Sequence, residues 1–451
     1  MNDTIAAIST ALGVGAISII RISGESAITI ANSVFRGKDL QKVPTHTIHY
    51  GHIVDGEKVI DEVLVTVMKA PKTFTVEDVV EINCHGGIAT TNKVLELLLT
   101  HGCRLAEPGE FTKRAFLNGR IDLINAEGII DLINAKTEKS RELAINQLGG
   151  KVSHLIHDLR EKIIQVLANI EVNIDYPEYE DVEELTNQKV IPFLSEVEED
   201  MKHILKESEN GKLIKEGIKT SIIGRPNVGK SSILNRLLGE EKAIVTNIEG
   251  TTRDTVEGTI VIDGIILNIL DTAGIRKTKD IVEQIGVQKS YDLIDHSDLI
   301  LFVLNNNEEL TSDDYEILEK LKDKNYIIVV NKIDLENRLD LNQLPQDHLI
   351  MMSALTEEGI MELKDKIKEL FHLEELETND LTYLTNARSI AILKDALKSL
   401  EDVKAGIENN MPIDMIEIDI KAIWTSLGSI IGETYEEELI DQLFSQFCLG
   451  K

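Results

Sequence analysis

Apolar residues along the first helical stretch recur at three- and four-residue steps: Val152, Leu155, Ile156, Leu159, Ile163, Val166, Leu167 and Ile170. That spacing predicts a helix with one buried face. Asp122 to Ala135 predicts a helix before it, and Asn187 to Lys206 one after it. Between them the acidic run Asp175-Tyr176-Pro177-Glu178-Tyr179-Glu180-Asp181 ends the stripe and reads as a solvated loop. Helical spacing returns near the C-terminus with Ile390, Leu393, Leu397 and Leu400, then Ile413–Ile431 and Leu439–Phe447. Short β-branched runs at Ala16–Ile22, Val63–Met68 and Val79–Asn83 predict strands. The last runs into Cys84-His85-Gly86-Gly87 and a helix, Ile88–Leu99. Such a turn can gather backbone N–H groups around an anion, but a plain structural turn is the simpler expectation. His85 accordingly reads as a turn or core residue.

Residues 214–375 alternate the two patterns. Strands are expected at Thr220–Ile223, Thr255–Ile262, Ile265–Leu270, Leu299–Leu304, Tyr326–Val330 and Leu349–Met352, the rhythm of an α/β domain with a mostly parallel sheet. The helical stretches on either side, 119–213 and 376–451, are each short of partners for their apolar faces. The economical expectation is one discontinuous helical domain with the α/β domain inserted into it; two separate bundles is the alternative. Residues 1–118 form a small α+β domain. The fold class is therefore multidomain, α/β and α.

Composition narrows the function classes. The 451 residues carry a net charge of −31, which argues against a binder with a broad basic face. Residues 1–118 hold 11 basic and 13 acidic side chains, so the N-terminal part is the least repulsive place for an anionic partner. Three scattered cysteines, Cys84, Cys103 and Cys448, suit neither a disulfide framework nor a zinc cluster. No apolar run approaches about 18 residues, so no membrane helix is expected. The N-terminus lacks a secretory pattern, and a cytoplasmic location is expected.

The chemistry lies in the inserted domain. Gly224-Arg225-Pro226-Asn227-Val228-Gly229-Lys230-Ser231 fits G-x-x-x-x-G-K-[ST] and sits between an expected strand and a helix beginning near Ser232. Its backbone N–H groups would wrap a phosphate, Lys230 would reach the β- and γ-phosphates, and Ser231 would hold Mg²⁺. Asp271-Thr272-Ala273-Gly274 fits D-x-x-G, whose Asp reaches Mg²⁺ through water. Asn331-Lys332-Ile333-Asp334 fits N-K-x-D, whose carboxylate accepts from guanine N1–H and the 2-amino group; adenine offers neither. Ser353-Ala354-Leu355 fits the element that contacts guanine O6. Thr252, within Gly250-Thr251-Thr252-Arg253-Asp254, is the candidate second hydroxyl on Mg²⁺ in a first switch loop. Ile275 stands where Ras carries its water-orienting glutamine, so another group must act. Glu283 is the polar candidate among several nearby acids.

These motifs, with Ser232, Thr246-Asn247-Ile248-Glu249-Gly250-Thr251-Thr252-Arg253-Asp254, Arg21-Ile22-Ser23-Gly24, Gly109-Glu110-Phe111-Thr112-Lys113-Arg114-Ala115-Phe116-Leu117-Asn118 and Cys448-Leu449-Gly450-Lys451, resemble the MnmE (TrmE) family of tRNA-modifying GTPases over the full length. The resemblance implies a folate-binding N-terminal domain, a split helical domain and an inserted G domain. It implies a homodimer working with the flavoprotein MnmG (GidA), with no membrane. Together they would add an aminomethyl-type group, including carboxymethylaminomethyl, to C5 of the wobble uridine of certain tRNAs. The one-carbon unit would come from 5,10-methylene- or 5-formyl-tetrahydrofolate. G domains would meet face to face with GTP and K⁺. Asn227 would be the side-chain ligand of K⁺, with carbonyls of Thr246, Ile248 and Thr251, and Glu283 would orient water. Folate contacts fall on Arg21, Glu81, Arg120 and Lys451; position 120 is often lysine in the family. Cys448 lies near that tail, with nothing in the sequence that activates its thiol. A ribosome-assembly or RNA-binding GTPase of the Era/Der type is the alternative, disfavoured because no segment is basic.

Overall fold

Successive side chains of a strand point to opposite faces, so a sheet covered on one side and a sheet covered on both read differently in sequence. Both kinds occur here. The computed structural model describes residues 3–175, 181–240, 256–262, 264–270, 293–371, 373, 382–409, 411–435 and 437–450. The chain divides into two compact units: Met1–Ile130 with Gln147–Met201 and Ala391–Lys451, and Asp131–Asn146 with Lys202–Ile390.

The first unit opens with seven strands: β1 (Ile5–Ile8), β2 (Ile17–Ser23), β3 (Phe35–Arg36), β4 (Thr47–Asp55), β5 (Lys58–Met68), β6 (Val79–His85) and β7 (Arg104–Leu105). Their order is β3-β4-β5-β6-β2-β1-β7, antiparallel except for β1 with β7. Helices α1 (Ala27–Val34) and α2 (Ile88–Thr100) cover one face. Ile20, Ile22, Val65, Val67 and Ile82 of the sheet meet Ala27, Ala31, Val94 and Leu98 in one core. On the other face Ile48, Tyr50 and Leu64 are exposed. α3 (Glu110–Leu117) buries Arg114, 1% exposed, against Asp3, Glu77 and Glu110. Burial opposes the charge, but these three carboxylates outweigh it and raise the guanidinium pKa. A buried ion needs such paired partners.

Glu77 belongs to the loop joining β5 to β6, which Ser23 also holds, through Thr75 at 2.6 Å and Glu77 at 2.7 Å. Within it Val76 sits at φ 66°. A β-branched residue is strained in that left-handed region by about 1–2 kcal/mol. Val76→Gly removes the strain while loosening the unfolded chain, for a net gain of about 0.5–1 kcal/mol. Urea denaturation should show this as a higher midpoint; a lower midpoint would mean that packing of the half-buried valine outweighs its strain.

Next come α4 (Leu123–Asn134), α5 (Glu138–Leu148), α6 (Lys151–Asp175) and α7 (Asp181–Glu216). The predicted stripe of α6 is buried except at Leu155, which is half-buried. α7 is longer than its predicted 187–206 and carries Pro192 inside it.

The second unit holds a six-stranded sheet: β8 (Ile218–Ile223), β9 (Val256–Ile262), β10 (Ile265–Leu270), β11 (Leu299–Asn305), β12 (Tyr326–Asn331) and β13 (Leu349–Met351). Its order is β13-β12-β11-β8-β10-β9, parallel except for β9 against β10. In β11, Leu299, Leu301 and Val303 join a core with α8 (Lys230–Glu240) and α10 (Ile360–Leu370), while Ile300, Phe302 and Leu304 join one with α9 (Ser312–Leu321). Helices on both faces explain why this strand is a continuous apolar run.

The chain closes with α11 (Ala387–Glu408), α12 (Ile413–Ile431) and α13 (Glu437–Phe444). α12 packs on α6: Arg160 of α6 stacks over the Trp424 ring at 4.1 Å and pairs with Glu433 at 2.5 Å. Gly428 makes room, since a Cβ there would lie 3.2 Å from that guanidinium. Lys404 of α11 bonds Ser195 and Glu198 of α7 at 2.9 and 2.6 Å. Helical segments from before and after the six-stranded α/β fold thus share one helical domain. Among the described residues no helix is long and apolar enough to cross a membrane.

Candidate functional site

β8, β11, β12 and β13 run parallel, so their carboxyl ends lie along one edge of the sheet, where open α/β sheets bind ligands. Three of the motif loops leave from that edge. The first leaves β8 after Ile223. Gly224 takes φ 142°, and a Cβ there would fall 2.3 Å from the Val303 carbonyl oxygen; Gly229 takes φ 103°, and its Cβ would fall 2.1 Å from Asn331 Nδ2. Neither position has room for a side chain. α8 begins at Lys230, and its first-turn N–H groups, those of Lys230, Ser231 and Ser232, have no partner within the helix. They and the dipole make an anion cradle. Lys230 Nζ spans the loop, donating to the carbonyls of Gly224 and Arg225, each at 2.7 Å. Burial lowers its pKa. A phosphate would replace those two carbonyls with a stronger, anionic acceptor.

The other two loops grip the first. Asn331, buried at the end of β12, donates from Nδ2 to the Val228 carbonyl at 2.9 Å and accepts at Oδ1 from the Ala354 N–H at 3.1 Å. Lys332, at φ 66°, donates to the Asn227 carbonyl at 2.7 Å. Asn227 itself is exposed at φ 64°. Ser353 Oγ donates to Asp334 Oδ1 at 2.5 Å and accepts from the N–H groups of Leu355 and Thr356. Asp334 is exposed, and lone pairs remain on both of its oxygens for two ring donors. Leu355 is 75% exposed beside it. The structure therefore gathers Asn227, Val228, Gly229, Lys230, Ser231, Ser232, Asn331, Lys332, Asp334, Ser353, Ala354 and Leu355 at one edge. Thr246, Asn247, Ile248, Glu249, Gly250, Thr251, Thr252, Asp271, Thr272, Ala273, Gly274, Ile275, Glu283 and Lys451 lie outside the described residues.

Motif spacing gave no sign of two further arginines at this edge. Arg236 of α8 donates to the Ala354 carbonyl at 3.0 Å and pairs with Glu357. Arg225 pairs with the buried Asp314 at 3.1 Å. Neither pairing has a local sequence signal, because the partners are about a hundred residues apart.

A second cluster lies in the first unit. Arg21 of β2 and Glu81 of β6 are directly opposite, with Nε donating to Oε1 at 2.9 Å. The Arg21 guanidinium is 5.7 Å from the Phe111 ring centre and donates to the Gly450 carbonyl at 3.4 Å. Ser9 Oγ donates to the same carbonyl at 3.1 Å, and Gly450, at φ 87°, lies so close to β1 that a Cβ would meet the Ile8 oxygen at 2.4 Å. Arg120 lies over Phe74 at 5.8 Å and donates to the Thr73 carbonyl. Phe74 packs in the same small core as Phe111. So Arg21, Glu81 and Arg120 flank one aromatic core next to the C-terminal residues. Cys448 is exposed there. Cys84 and Cys103 are buried, and burial raises both thiols, Cys103 to about 12, which removes them as nucleophiles.

His85 ends β6 at the turn into α2, its carbonyl accepting from the Gly87 N–H at 2.8 Å, and is not a core residue. Its side chain is 70% exposed and its Nδ1 lies 2.7 Å from Asp61, which raises the imidazole pKa. Among the described residues no group of His, Cys, Asp and Glu could hold a metal ion.

Two family models match the chain: the GTP-binding protein TrmE N-terminus over residues 4–120 and the MnmE helical domain over residues 123–448. The tRNA modification GTPase MnmE of Bacillus cytotoxicus is 54% identical over 100% of this chain and 99% of its own. That of Enterococcus faecalis is 55% identical, over 100% and 98%. Among solved structures, the G domain of the T. maritima FeoB iron transporter is 28% identical over 34% of this chain and 98% of its own, at a TM-score of 0.25, too low to add to the fold.

Proposed function

The chain belongs to the family of tRNA modification GTPases MnmE, and we propose that it is a K⁺-activated member that works with the flavoprotein MnmG on the wobble uridine of tRNA. It is a GTPase with a small α+β N-terminal domain, a discontinuous helical domain and an inserted G domain. The observation that carries the nucleotide reading is the junction in which Asn331 and Lys332 fasten the phosphate loop while Ser353 presents Asp334. We take the domains to be residues 1–118, 119–213, 214–375 and 376–451.

In the proposed reaction the α8 N–H groups and Lys230 hold the β- and γ-phosphates, and Asp334 reads the guanine edge. Ser231 and Thr252 would hold Mg²⁺, which would offset the negative charge of the phosphates. Asn227 suits K⁺ as a hard oxygen donor: it is exposed on the loop, and its amide makes no hydrogen bond among the described residues. K⁺ there, with carbonyls of Thr246, Ile248 and Thr251, would supply the positive charge that an arginine finger supplies elsewhere. Glu283 would orient water in place of the glutamine that Ile275 replaces. Exchanging K⁺ for Na⁺ should slow GTP hydrolysis about tenfold or more. Equal steady-state rates in the two salts would remove K⁺ and the role of Asn227.

For the folate, Arg21 and Glu81 offer a donor and an acceptor on adjacent strands, and Arg120 and Lys451 suit a glutamate tail. A tetrahydrofolate would supply the one-carbon unit. Arg21→Ala should weaken 5-formyl-tetrahydrofolate binding about tenfold in calorimetry; unchanged affinity would exclude this cluster as the site. We propose a homodimer in the cytoplasm as the working form.

A further inference from the structure

The phosphate loop is held from two sides, and only one of them belongs to the nucleotide motifs. On the downstream side Asn331 and Lys332 take the carbonyls of Val228 and Asn227. On the upstream side the side chain of Arg225, the residue after Gly224, pairs through Nε with Asp314 Oδ2 at 3.1 Å and through an Nη with Glu308 at 3.3 Å, and it donates to the Glu309 carbonyl at 3.2 Å. Glu308 and Glu309 lie in the connection from β11 into α9, and Asp314 in the first turn of α9. That connection is itself fixed. Asp314 is fully buried and caps α9, accepting from Thr311 N and Oγ1, both at 2.9 Å. Glu308 accepts from Asn305 Nδ2 at 2.5 Å, at the end of β11.

We propose that Arg225 and Asp314 form a second clamp that sets the upstream limb of the phosphate loop, making both of them positioning residues for nucleotide binding. The chain of contact is short. The Arg225 backbone carbonyl accepts from Lys230 Nζ at 2.7 Å, so the residue whose side chain is anchored to α9 also places an acceptor for the phosphate-binding lysine. With the guanidinium anchored, the loop keeps its wrapped shape without nucleotide, and binding need not order it. Without the anchor only the downstream limb is fixed. The planar fork of arginine suits three oxygens spread over a carboxylate, a second carboxylate and a carbonyl, which a lysine cannot reach together. Asp314 acts through Arg225 and contacts no nucleotide. The inference rests on the nucleotide-site reading, which GDP binding by the wild-type protein tests separately.

Five variants of the full chain decide it, using fluorescent GDP for affinity, saturating GTP for kcat, and thermal melting. Arg225→Ala and Asp314→Asn should each weaken GDP about five- to tenfold, the size of one partly buried ion pair, with kcat at saturating GTP within about twofold of wild type. The double variant should be no worse than the weaker single, because both break the same contact. Arg225→Lys should recover part of the loss. Thr311→Ala, which weakens the α9 cap but leaves the Arg225 contact, should lower the melting temperature and leave GDP affinity unchanged. Unchanged affinity in Arg225→Ala, additive losses in the double variant, or a loss in Thr311→Ala equal to that in Asp314→Asn would each overturn the clamp.

Discussion

With Lys230 replaced by alanine, GTP hydrolysis at saturating nucleotide falls about 10²–10³-fold. The ammonium is half-buried at the mouth of α8 and already satisfied by two loop carbonyls at 2.7 Å. In that place it is pre-oriented toward charge that grows on the transferred phosphoryl group, and a fixed cation in a partly dry site is worth far more than one in water. Removing it leaves the carbonyls of Gly224 and Arg225 without their donor, so nucleotide affinity falls as well. Single-turnover phosphate release at several GTP concentrations separates the two effects. A wild-type rate in the variant would mean that the loop does not hold the reacting phosphate.

The Asp334→Asn protein should lose GTP affinity about 10²-fold or more, since two hydrogen bonds to a charged acceptor are worth about 3 kcal/mol or more. It should gain affinity for xanthosine triphosphate. Guanine presents an N1–H and a 2-amino group, both donors, to the carboxylate; xanthine has a carbonyl at position 2, which an amide N–H can meet. Ser353 Oγ holds Asp334 Oδ1 at 2.5 Å, so an asparagine there is oriented by the same hydroxyl. Competition between the two nucleotides in a binding assay reads the switch directly. Equal losses for both would show that Asp334 supports the loop and does not read the base.

The sequence announced those parts of the molecule whose physics is local. α6 was legible because its buried face repeats at helical spacing, and β11 because burial on both faces leaves it apolar throughout. β4 escaped notice: Ile48 and Tyr50 face out while Gly51 and Ile53 face in, so alternation gives no contrast. Gly51 is there because the Phe35 ring would collide with any Cβ. α7 runs on to Glu216 past Gly211, which looks like a stop; the glycine instead admits Tyr383, whose Cβ would be 2.7 Å from an added one.

The same division applies to the sites. The phosphate loop was visible because its glycines are dictated by backbone geometry, and the loops at Asn331 and Ser353 because their residue types match guanine-contacting motifs. The side-chain ties among these loops were not visible. Asn331 joins the phosphate loop to Ala354, and Arg225 joins it to Asp314; both depend on strand order, which brings residues about a hundred apart together. Arg21 opposite Glu81 follows from the pairing of β2 with β6, which spacing does not reveal. Only the family resemblance pointed to it.

The most direct test of the account is nucleoside analysis of wobble uridines in tRNA from cells lacking this protein, complemented with wild type or with the Lys230→Ala form. The expected result is loss of the C5 aminomethyl-type modification, restored by wild type and not by the variant. Wobble uridines modified to the normal extent in the deleted cells, or fully restored by Lys230→Ala, would contradict it.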